Sequence, residues 1–276
     1  FCFETVKYYD QPLGIIVAES SDIANLAVSH VKVMYSESSS EIQTCLEMVL
    51  SDQYIMELDR LKPVMELSVE SQRRTKKWGS HSLRGIMQLG GQYHFTMEPQ
   101  TTIVIPRENG LEVWSSTQWM EHTQGAIANL LNLCLNQILV KTPRVGGAYG
   151  FRLTRSSMVA CAAALAAYKL NRPVRFVQRI ESMMTTFGKR MPSRGDYLVE
   201  TTDTGKLLSL NAQFYNDVGS SMNELEYVSL HSKFSWKNVY LWDNVNVKFD
   251  YQAVMTDAPS HTICRAPGAL EGGYWV

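Results

Sequence analysis

"RVGGAYGFRLTR", residues 144–155, places three glycines and two aromatic residues between Arg144 and Arg152. It follows the apolar run "LNQILVKTP" (135–143) and precedes "SSMVACAAALAAYKL" (156–170), a strong helix former. Glycines before a helix bring backbone N–H groups to its positive end, where an oxo or phosphate group binds well. The alternative is a tight turn used only for packing. The motif is neither GxGxxG nor a phosphate loop, so it matches no nucleotide fingerprint.

The segments around this turn mix strand and helix patterns. "YHFTMEPQTTIVIP" (93–106) alternates into a strand and "GLEVWSST" (110–117) follows as another, and the Asn109–Gly110 pair between them predicts a hairpin. "QWMEHTQGAIANLLNL" (118–133) has apolar residues at helical spacing. "GDYLVETTDTGKLLSLNAQFYNDVG" (195–219) predicts two strands around a Thr-Gly turn. Because no regular βαβ repeat connects these elements, the pattern predicts an α+β fold.

The first third of the chain is less regular. "LGIIVAES" (13–20) is predicted to be a buried strand, and Ser21 and Asp22 can cap the helix that follows it. Residues 31–35 then alternate as a second strand. The basic run at 71–85 is predicted to be a solvated loop, and it is also the best candidate for a domain boundary.

Composition narrows the class of protein. Of the 276 residues, 45% are hydrophobic and 19% are charged, which is typical of a globular chain. The formal net charge of −1 gives no reason to expect nucleic acid as a partner, and no apolar stretch reaches membrane-spanning length. The five cysteines have no zinc-site spacing. The chain starts at Phe1 and stops inside a patterned stretch, so we expect a fragment of a longer protein.

A few polar residues are candidates for a site. Gln118 lies where a strand ends and a helix begins, and Arg265 precedes an Ala-Pro-Gly turn that would hold its guanidinium group in place. Each could equally be an ordinary surface residue. His94 and Glu98 could suggest acid–base chemistry, but their spacing of four residues favours a structural role.

Taken together, these motifs resemble one family. "GGQYHF", "VWSSTQWMEHTQ", "KTPRVGGAYG", "FGKRMP" and "CRAPG" are similar to the molybdenum-binding half of the xanthine dehydrogenase and aldehyde oxidase family of molybdenum hydroxylases. The resemblance runs over essentially the whole chain, and its Ala-Tyr and "CRAPG" forms look most like insect aldehyde oxidases. It implies a small α+β, hammerhead-like domain at 1–85 and the truncated first part of a molybdopterin-binding α+β domain at 86–276.

The resemblance also implies roles for single residues. Gln118 matches the glutamine that hydrogen-bonds an oxo ligand of molybdenum, and Arg265 matches the arginine beside the pterin dithiolene and the metal. The backbone of the turn would face the molybdenum centre at Tyr149 and Gly150, with Gly146, Gly147 and Ala148 supporting it. The catalytic base, a glutamate, is expected beyond residue 276, so no catalytic residue is expected in this chain.

Departures from the family pattern predict the substrate. Leu153 stands where purine-oxidising members carry a glutamate that binds the heterocycle, and Pro267 stands where they place a stacking phenylalanine. A purine-binding arginine expected near His231 is missing from "YVSLHSKFSW" (227–236). These changes favour an aldehyde over a purine, with an NAD-dependent xanthine dehydrogenase as the alternative. Phe151-Arg152 replaces the common Gly-Lys, which leaves a catalytically silent homologue open.

For the whole protein, the resemblance implies oxidation of an aldehyde to a carboxylic acid with oxygen from water. Electrons would pass through two 2Fe-2S clusters and FAD, both outside this chain, to O2. A cytoplasmic homodimer is expected. The 276-residue chain alone is expected to be inactive and to hold the cofactor weakly.

Overall fold

The structure, a computed structural model, describes residues 1–2, 4–36, 41–51, 58–70, 81–239 and 245–274. Its helices are α1 (Ser21–Ser29), α2 (Leu46–Leu50), α3 (Met120–Leu131), α4 (Phe151–Leu170), α5 (Ile180–Thr186), α6 (Leu225–Val239) and α7 (Ala269–Tyr274). Its strands are β1 (Leu61–Val69), β2 (His81–Leu89), β3 (Thr101–Arg107), β4 (Gly110–Ser115), β5 (Ile138–Lys141), β6 (Val174–Val177), β7 (Ser193–Thr201), β8 (Leu207–Gly219) and β9 (Asn246–Met255). Short 3₁₀ turns lie at Leu58–Arg60 and Leu135–Gln137.

The chain forms two compact units, and each contains one sheet. The first unit comprises residues 1–42 and 94–187, and the second comprises 43–93 and 188–276. This mixture of helices with largely antiparallel sheets confirms the predicted α+β class. The domain boundary near residue 85 stays a prediction. The structure places 81–85 in β2 rather than in the predicted loop, and residues 71–80 lie outside the described part of the chain.

The sheet of the first unit has the order β5-β4-β3-β6, with β4 and β5 parallel and the other pairs antiparallel. The predicted hairpin is confirmed, because β3 and β4 pair from Arg107 and Gly110 onward. The part of the predicted first strand at 93–100 is wrong, since β3 begins only at Thr101. Glycine is needed in this hairpin, since a methyl group at Gly110 would lie 1.9 Å from the carbonyl oxygen of Gln137. Helices α3 and α4 pack on each other, and the small residues of α4, such as Ala160 and Ala164, are buried in the core against the sheet.

One edge of this sheet carries a cluster of charges. Glu112 accepts hydrogen bonds from Lys141 Nζ at 2.7 Å and from Arg107 Nη2 at 2.5 Å. These bonds, from Lys141 first and Arg107 second, lower the pKa of Glu112 from 4.5 to about 2. The indole nitrogen of Trp114 donates to the same carboxylate at 3.0 Å. The cluster joins three strand segments of the unit.

The sheet of the second unit has the order β1-β9-β8-β7-β2, in which β8 and β9 are parallel and the other pairs antiparallel. The two predicted strands around the Thr-Gly turn are confirmed as β7 and β8. The core contains Trp236 of α6, stacked 4.7 Å from Phe214 and lying 4.6 Å from Phe249 between ring centroids. This aromatic cluster holds α6 on the sheet.

The predicted strand at 13–20 is wrong. No ladder joins this segment to another strand among the described residues, and most of its apolar side chains, such as Val17, are exposed. The alternation at 31–35 likewise forms no strand. The helix between them is confirmed as α1, although Ser20 caps it, accepting from the backbone N–H of Ile23 at 3.3 Å. An apolar pattern fixes strand propensity but does not supply a partner strand.

Within the described part of the chain, no helix combines the length and the apolar character needed to cross a membrane.

Candidate functional site

The glycine turn joins β5 to α4 through three residues with left-handed backbone. Gly147 has a φ of 95°, Tyr149 has 55° and Gly150, the N-cap of α4, has 98°. A left-handed conformation costs a residue with a Cβ about 1–2 kcal/mol, and Tyr149 is also 47% exposed. Strain held at an exposed aromatic residue is typical of backbone shaped for a ligand.

Gln118 lies directly against this turn. Its side-chain Oε1 accepts a hydrogen bond from the Gly150 N–H at 3.1 Å, and its backbone N–H donates to the Arg152 carbonyl at 3.1 Å. Since Gly150 N–H can only donate, the amide oxygen of Gln118 must face it and the Nε2 group must point away. This exposed Nε2 has no protein hydrogen-bond partner among the described residues. The structure therefore presents Gln118 as a fixed amide donor.

Glu98 anchors the other end of the turn. Its Oε2 accepts from the Gly146 N–H at 2.6 Å, and its Oε1 accepts from the hydroxyl of Ser116. A methyl group at Gly146 would lie 2.5 Å from Glu98 Cβ, so the carboxylate can reach the backbone only because this residue is glycine. His94 instead packs its ring 5.4 Å from that of Phe151. Glu98 and His94 therefore have separate structural roles, as the structural interpretation of their spacing predicts.

Three consecutive N–H groups of the turn remain open. Among the described residues, the backbone N–H groups of Gly147, Ala148 and Tyr149 have no hydrogen-bond partner. Successive N–H groups in a turn that alternates backbone handedness form a concave site for anionic or oxo groups. The N-terminus of the 20-residue helix α4 adds its positive end. With the Nε2 of Gln118, the turn offers several donors to one ligand, while the Glu98 carboxylate is held by the Gly146 N–H and the Ser116 hydroxyl.

Arg152 contacts the turn from the core, a position that the sequence analysis did not predict. The side chain is completely buried, and its Nε donates to the Gly147 carbonyl at 2.8 Å. Its Nη1 donates to Gln100 Oε1 at 2.7 Å, and its Nη2 lies 3.6 Å from the Glu98 carboxylate. Burial lowers the pKa of Arg152, while the charge of Glu98 partly opposes this effect. An arginine in the first turn of a helix is an ordinary surface pattern, so the sequence gives no signal of its burial.

Phe151 does not disturb the turn. It is the first residue of α4, with ordinary helical backbone, and the left-handed positions precede it. Its ring is buried, packing edge-to-face against Phe187 with 5.2 Å between ring centroids. The departure of Phe151-Arg152 from Gly-Lys is thus accommodated by packing and hydrogen bonds, which removes the structural reason to expect a silent homologue.

Arg265 and Pro267 lie in the second compact unit, in a separate turn. Ala266 and Gly268 have φ values of 57° and 73°, and the Arg265 side chain is exposed. A methyl group at Gly268 would lie 2.3 Å from the Val228 carbonyl oxygen of α6. The turn is thus closely fitted to α6, and that Arg265 faces the same ligand as Gln118 stays a prediction.

A second buried arginine supports this turn from below. Arg190 Nη2 donates to the Arg265 carbonyl at 2.5 Å, and its Nη1 pairs with the buried carboxylate of Glu271 at 2.9 Å. Its Nε donates to Gln92 Oε1 at 2.8 Å. The arrangement repeats the one at the glycine turn, in which a buried guanidinium group holds a carbonyl of an exposed turn.

The two predicted substrate residues, Leu153 and Pro267, lie in or next to the two turns described above. Leu153 is half-buried in the first turn of α4, and its backbone N–H donates to the Gly150 carbonyl at 3.1 Å. Pro267 is half-buried in the second turn. Among the described residues, no group of three or more His, Cys, Asp and Glu side chains could hold a metal ion. The donors described above are backbone N–H, amide and guanidinium groups.

Donors presented by a glycine turn before a long helix suit an oxo-bearing or anionic group. Comparison with known families identifies the class of protein: the model described as "Molybdopterin cofactor-binding domain" matches residues 75–276, and the chain belongs to this family. It is 34% identical to xanthine dehydrogenase of Oryza sativa over 274 residues, covering 97% of the chain and 19% of that protein. It is 32% identical to aldehyde oxidase 1 of Rattus norvegicus, covering 98% of the chain and 20% of that protein.

Solved structures show the same fold. The match to aldehyde oxidoreductase from Desulfovibrio gigas covers 92% of this chain and 28% of that protein's chain, with a TM-score of 0.74 and 19% identity. The match to quinoline 2-oxidoreductase from Pseudomonas putida 86 covers 91% of this chain and 32% of that protein's chain, with a TM-score of 0.72 and 20% identity. The chain spans about a fifth of the length of the curated relatives it matches. The particular similarity to insect aldehyde oxidases stays a prediction.

Proposed function

We propose that this chain forms part of the molybdopterin site of an aldehyde oxidase, which oxidises aldehydes to carboxylic acids with oxygen from water. The observation that carries the proposal is the fixed amide of Gln118, whose donor faces away from Gly150 beside the open N–H groups of the turn. The balance of the reaction is an aldehyde and water giving a carboxylic acid, two protons and two electrons. In the whole protein, the electrons would leave through two 2Fe-2S clusters and FAD to O2.

The residues present fit a molybdenum cofactor. Gln118 would donate from Nε2 to an oxygen atom of the bound group, and the N–H groups of Gly147, Ala148 and Tyr149 would face its oxygens. Arg265 would supply a guanidinium donor from the second turn. When bound, the cofactor supplies the two-electron redox chemistry, while the protein supplies orientation and electrostatics. The work of this chain is to hold donors where oxygen atoms carry negative charge.

Leu153 supports an aldehyde as the substrate. Its side chain has no hydrogen-bonding atom, so a purine bound beside it would leave a polar atom unpaired at a cost of roughly 1–3 kcal/mol. Pro267 lacks the aromatic ring that would stack on a heterocycle. The stretch without the purine-binding arginine forms α6, where His231 Nδ1 lies 2.7 Å from the Tyr227 carbonyl oxygen. These three positions together favour a small substrate with few polar atoms.

A purine hydroxylase of the xanthine dehydrogenase type, using NAD as the acceptor, is the second candidate function. The observation that favours it is the 34% identity to the rice xanthine dehydrogenase, which is similar to the 32% identity to the rat aldehyde oxidase. Overall identity therefore does not separate the two substrates. The identity of residue 153 carries the choice.

The whole gene product decides between these functions when it is given benzaldehyde and hypoxanthine in separate assays. We expect preferential oxidation of benzaldehyde, and preferential oxidation of hypoxanthine would overturn the choice. The change Leu153→Glu should lower kcat/KM for benzaldehyde and raise it for hypoxanthine, each by roughly 10–200-fold. Leu170→Glu, at the exposed end of the same helix, is the matched control and should change neither value.

Metal analysis tests the binding role itself. The purified whole gene product, made in cells that synthesise the cofactor, should contain about one molybdenum atom per chain, as a single cofactor site requires. Absence of molybdenum would show a homologue without cofactor chemistry. A cytoplasmic homodimer remains part of the proposal, tested by fractionation and by the mass of the purified protein in solution.

A further inference from the structure

We propose that Arg152 is the positioning residue of this site: its buried guanidinium group sets the shape of the glycine turn, and its carbonyl sets the place of Gln118. The proposal rests on the proposed function only where it concerns cofactor retention. The shaping of the turn stands on the geometry of this chain.

The side chain of Arg152 binds the turn in several directions at once. Its Nε donates to the Gly147 carbonyl at 2.8 Å, which orients the peptide whose neighbours carry the open N–H groups. Its Nη1 donates to Gln100 Oε1 at 2.7 Å, and its Nη2 donates to the hydroxyl of Thr96 at 3.4 Å. Gln100 in turn donates from Nε2 to the Ser116 carbonyl at 3.1 Å. The planar fork thus connects the turn to the segment before β3 and to the end of β4.

The main-chain carbonyl of Arg152 holds Gln118 and its neighbour Thr117. The carbonyl oxygen accepts from the Gln118 N–H at 3.1 Å and from the Thr117 hydroxyl at 3.1 Å. It also accepts from the Ser156 hydroxyl at 2.8 Å. One residue therefore fixes both the turn with the open N–H groups and the residue that supplies the amide donor. A displacement of Arg152 would therefore move both the turn and Gln118.

Glu98 balances the buried charge and shares the task. Its carboxylate lies 3.6 Å from Arg152 Nη2 and accepts from the Gly146 N–H. A buried guanidinium without this partner would be strongly destabilising, because the charge would lose hydration without compensation. The ion pair and the hydrogen bonds form one network beneath the turn, so the pair must be tested together as well as singly.

Lysine at position 152 cannot reproduce the network. An ammonium group is a compact charge on a flexible stem, whereas the guanidinium plane donates in several fixed directions. We therefore expect Arg152→Lys to keep the charge and the fold but to lose the hold on the Gly147 carbonyl. This distinction separates positioning by geometry from simple charge balance.

Hydrogen exchange measured on the whole gene product without cofactor tests the inference directly. In Arg152→Lys, the two hydrogen-bonded amides of the turn, those of Gly146 and Gly150, should exchange about tenfold faster than in the unaltered protein, while those of β3 and β4 stay unchanged. Arg172→Lys, at an exposed arginine beyond the end of α4, is the control and should change nothing. Exchange of the Gly146 and Gly150 amides within twofold of the unaltered protein would refute the inference.

A charge-free variant covers the case in which a single change fails to fold. The double change Arg152→Met with Glu98→Gln removes both charges, and it should fold while showing the same faster exchange at the Gly146 and Gly150 amides. Unchanged exchange in a folded double variant would also refute the proposal.

Cofactor retention gives an independent readout. Molybdenum should be lost faster from Arg152→Lys than from the unaltered protein during dialysis, and equal retention would refute the role toward the cofactor. If the unaltered protein holds no molybdenum and oxidises neither substrate, the proposed function fails. The exchange experiment still decides the role of Arg152 in that case.

Discussion

Replacing Gln118 by glutamate isolates the donor from the rest of the site. Glutamate has almost the same shape, and its Oε1 can still accept from the Gly150 N–H, which lies 3.1 Å from the amide oxygen. The second atom of the side chain changes from an NH₂ donor to an oxygen that only accepts. Gln118→Glu should therefore keep the turn and remove only the proposed interaction with the cofactor.

The expected magnitudes differ sharply for stability and turnover. Gln118 is exposed and its bond to Gly150 survives, so the free energy of unfolding should change by less than about 0.5 kcal/mol. Losing one fixed donor to a developing negative oxygen lowers kcat by about 10²–10³-fold, which corresponds to roughly 2.7–4 kcal/mol. The carboxylate would add repulsion toward the same oxygen. The ratio of these two effects distinguishes a functional donor from a structural residue.

The assay measures kcat and KM for benzaldehyde, molybdenum content and Tm on the whole gene product. Gln118→Ala serves as the comparison, because it removes both the donor and the acceptor of the Gly150 N–H. The kcat of Gln118→Ala should fall as much as that of Gln118→Glu while the protein still folds. The turn should also become more mobile in Gln118→Ala. Turnover by Gln118→Glu within threefold of the unaltered enzyme, at equal molybdenum content, would refute the assigned role.

Three further predictions concern the frame around the site. Gly188→Ala should destabilise the second unit by about 1–3 kcal/mol in denaturant unfolding, since its methyl group would lie 2.1 Å from the Ser260 carbonyl oxygen; a loss below the error of the measurement would contradict this. Because the pKa of Glu112 is lowered from 4.5 to about 2, its ionised carboxylate stabilises the folded state at pH values above 4.5, and this stabilisation is lost as the pH falls toward about 2. The Tm of the unaltered protein should therefore fall more steeply with decreasing pH than the Tm of Glu112→Gln, and parallel curves would contradict this prediction. Burial raises the pKa of Cys161 to about 11, so iodoacetamide at pH near 8 should label exposed Cys134 first, as peptide mass spectrometry would show; equal labelling would be the contrary result.

Local signals in the sequence were sufficient for the elements next to the site. The Asn109–Gly110 pair and the flanking alternation predict the β3–β4 hairpin because both signals lie within a few residues. Helix α4 follows from its alanine-rich composition, and the strained turn follows from its glycines. The position of Gln118 at the junction of strand and helix leaves an ordinary surface residue open, so its predicted role depends on the family resemblance. The hairpin, the helix and the turn each depend on short-range chemistry.

Long-range pairing explains what the sequence could not predict. Strand β1 pairs with β9, far along the chain, and β8 lies parallel to β9, so no local pattern indicates the order of that sheet. The segment at 13–20 has strand propensity but no partner strand among the described residues. Arg152 illustrates the same limit for the site. Its burial depends on acceptors from Gln100 and Gly147, which only the folded chain brings together.

The two buried arginines beneath the exposed turns have a thermodynamic consequence. Because Arg152 and Arg190 hold the carbonyls of Gly147 and Arg265 through hydrogen bonds within the chain, much of the conformational entropy of both turns is lost when the protein folds. A ligand that docks there need not order the backbone that receives it, and more of its interaction free energy appears as affinity. A mutation under either turn would then transfer that ordering cost from folding to binding.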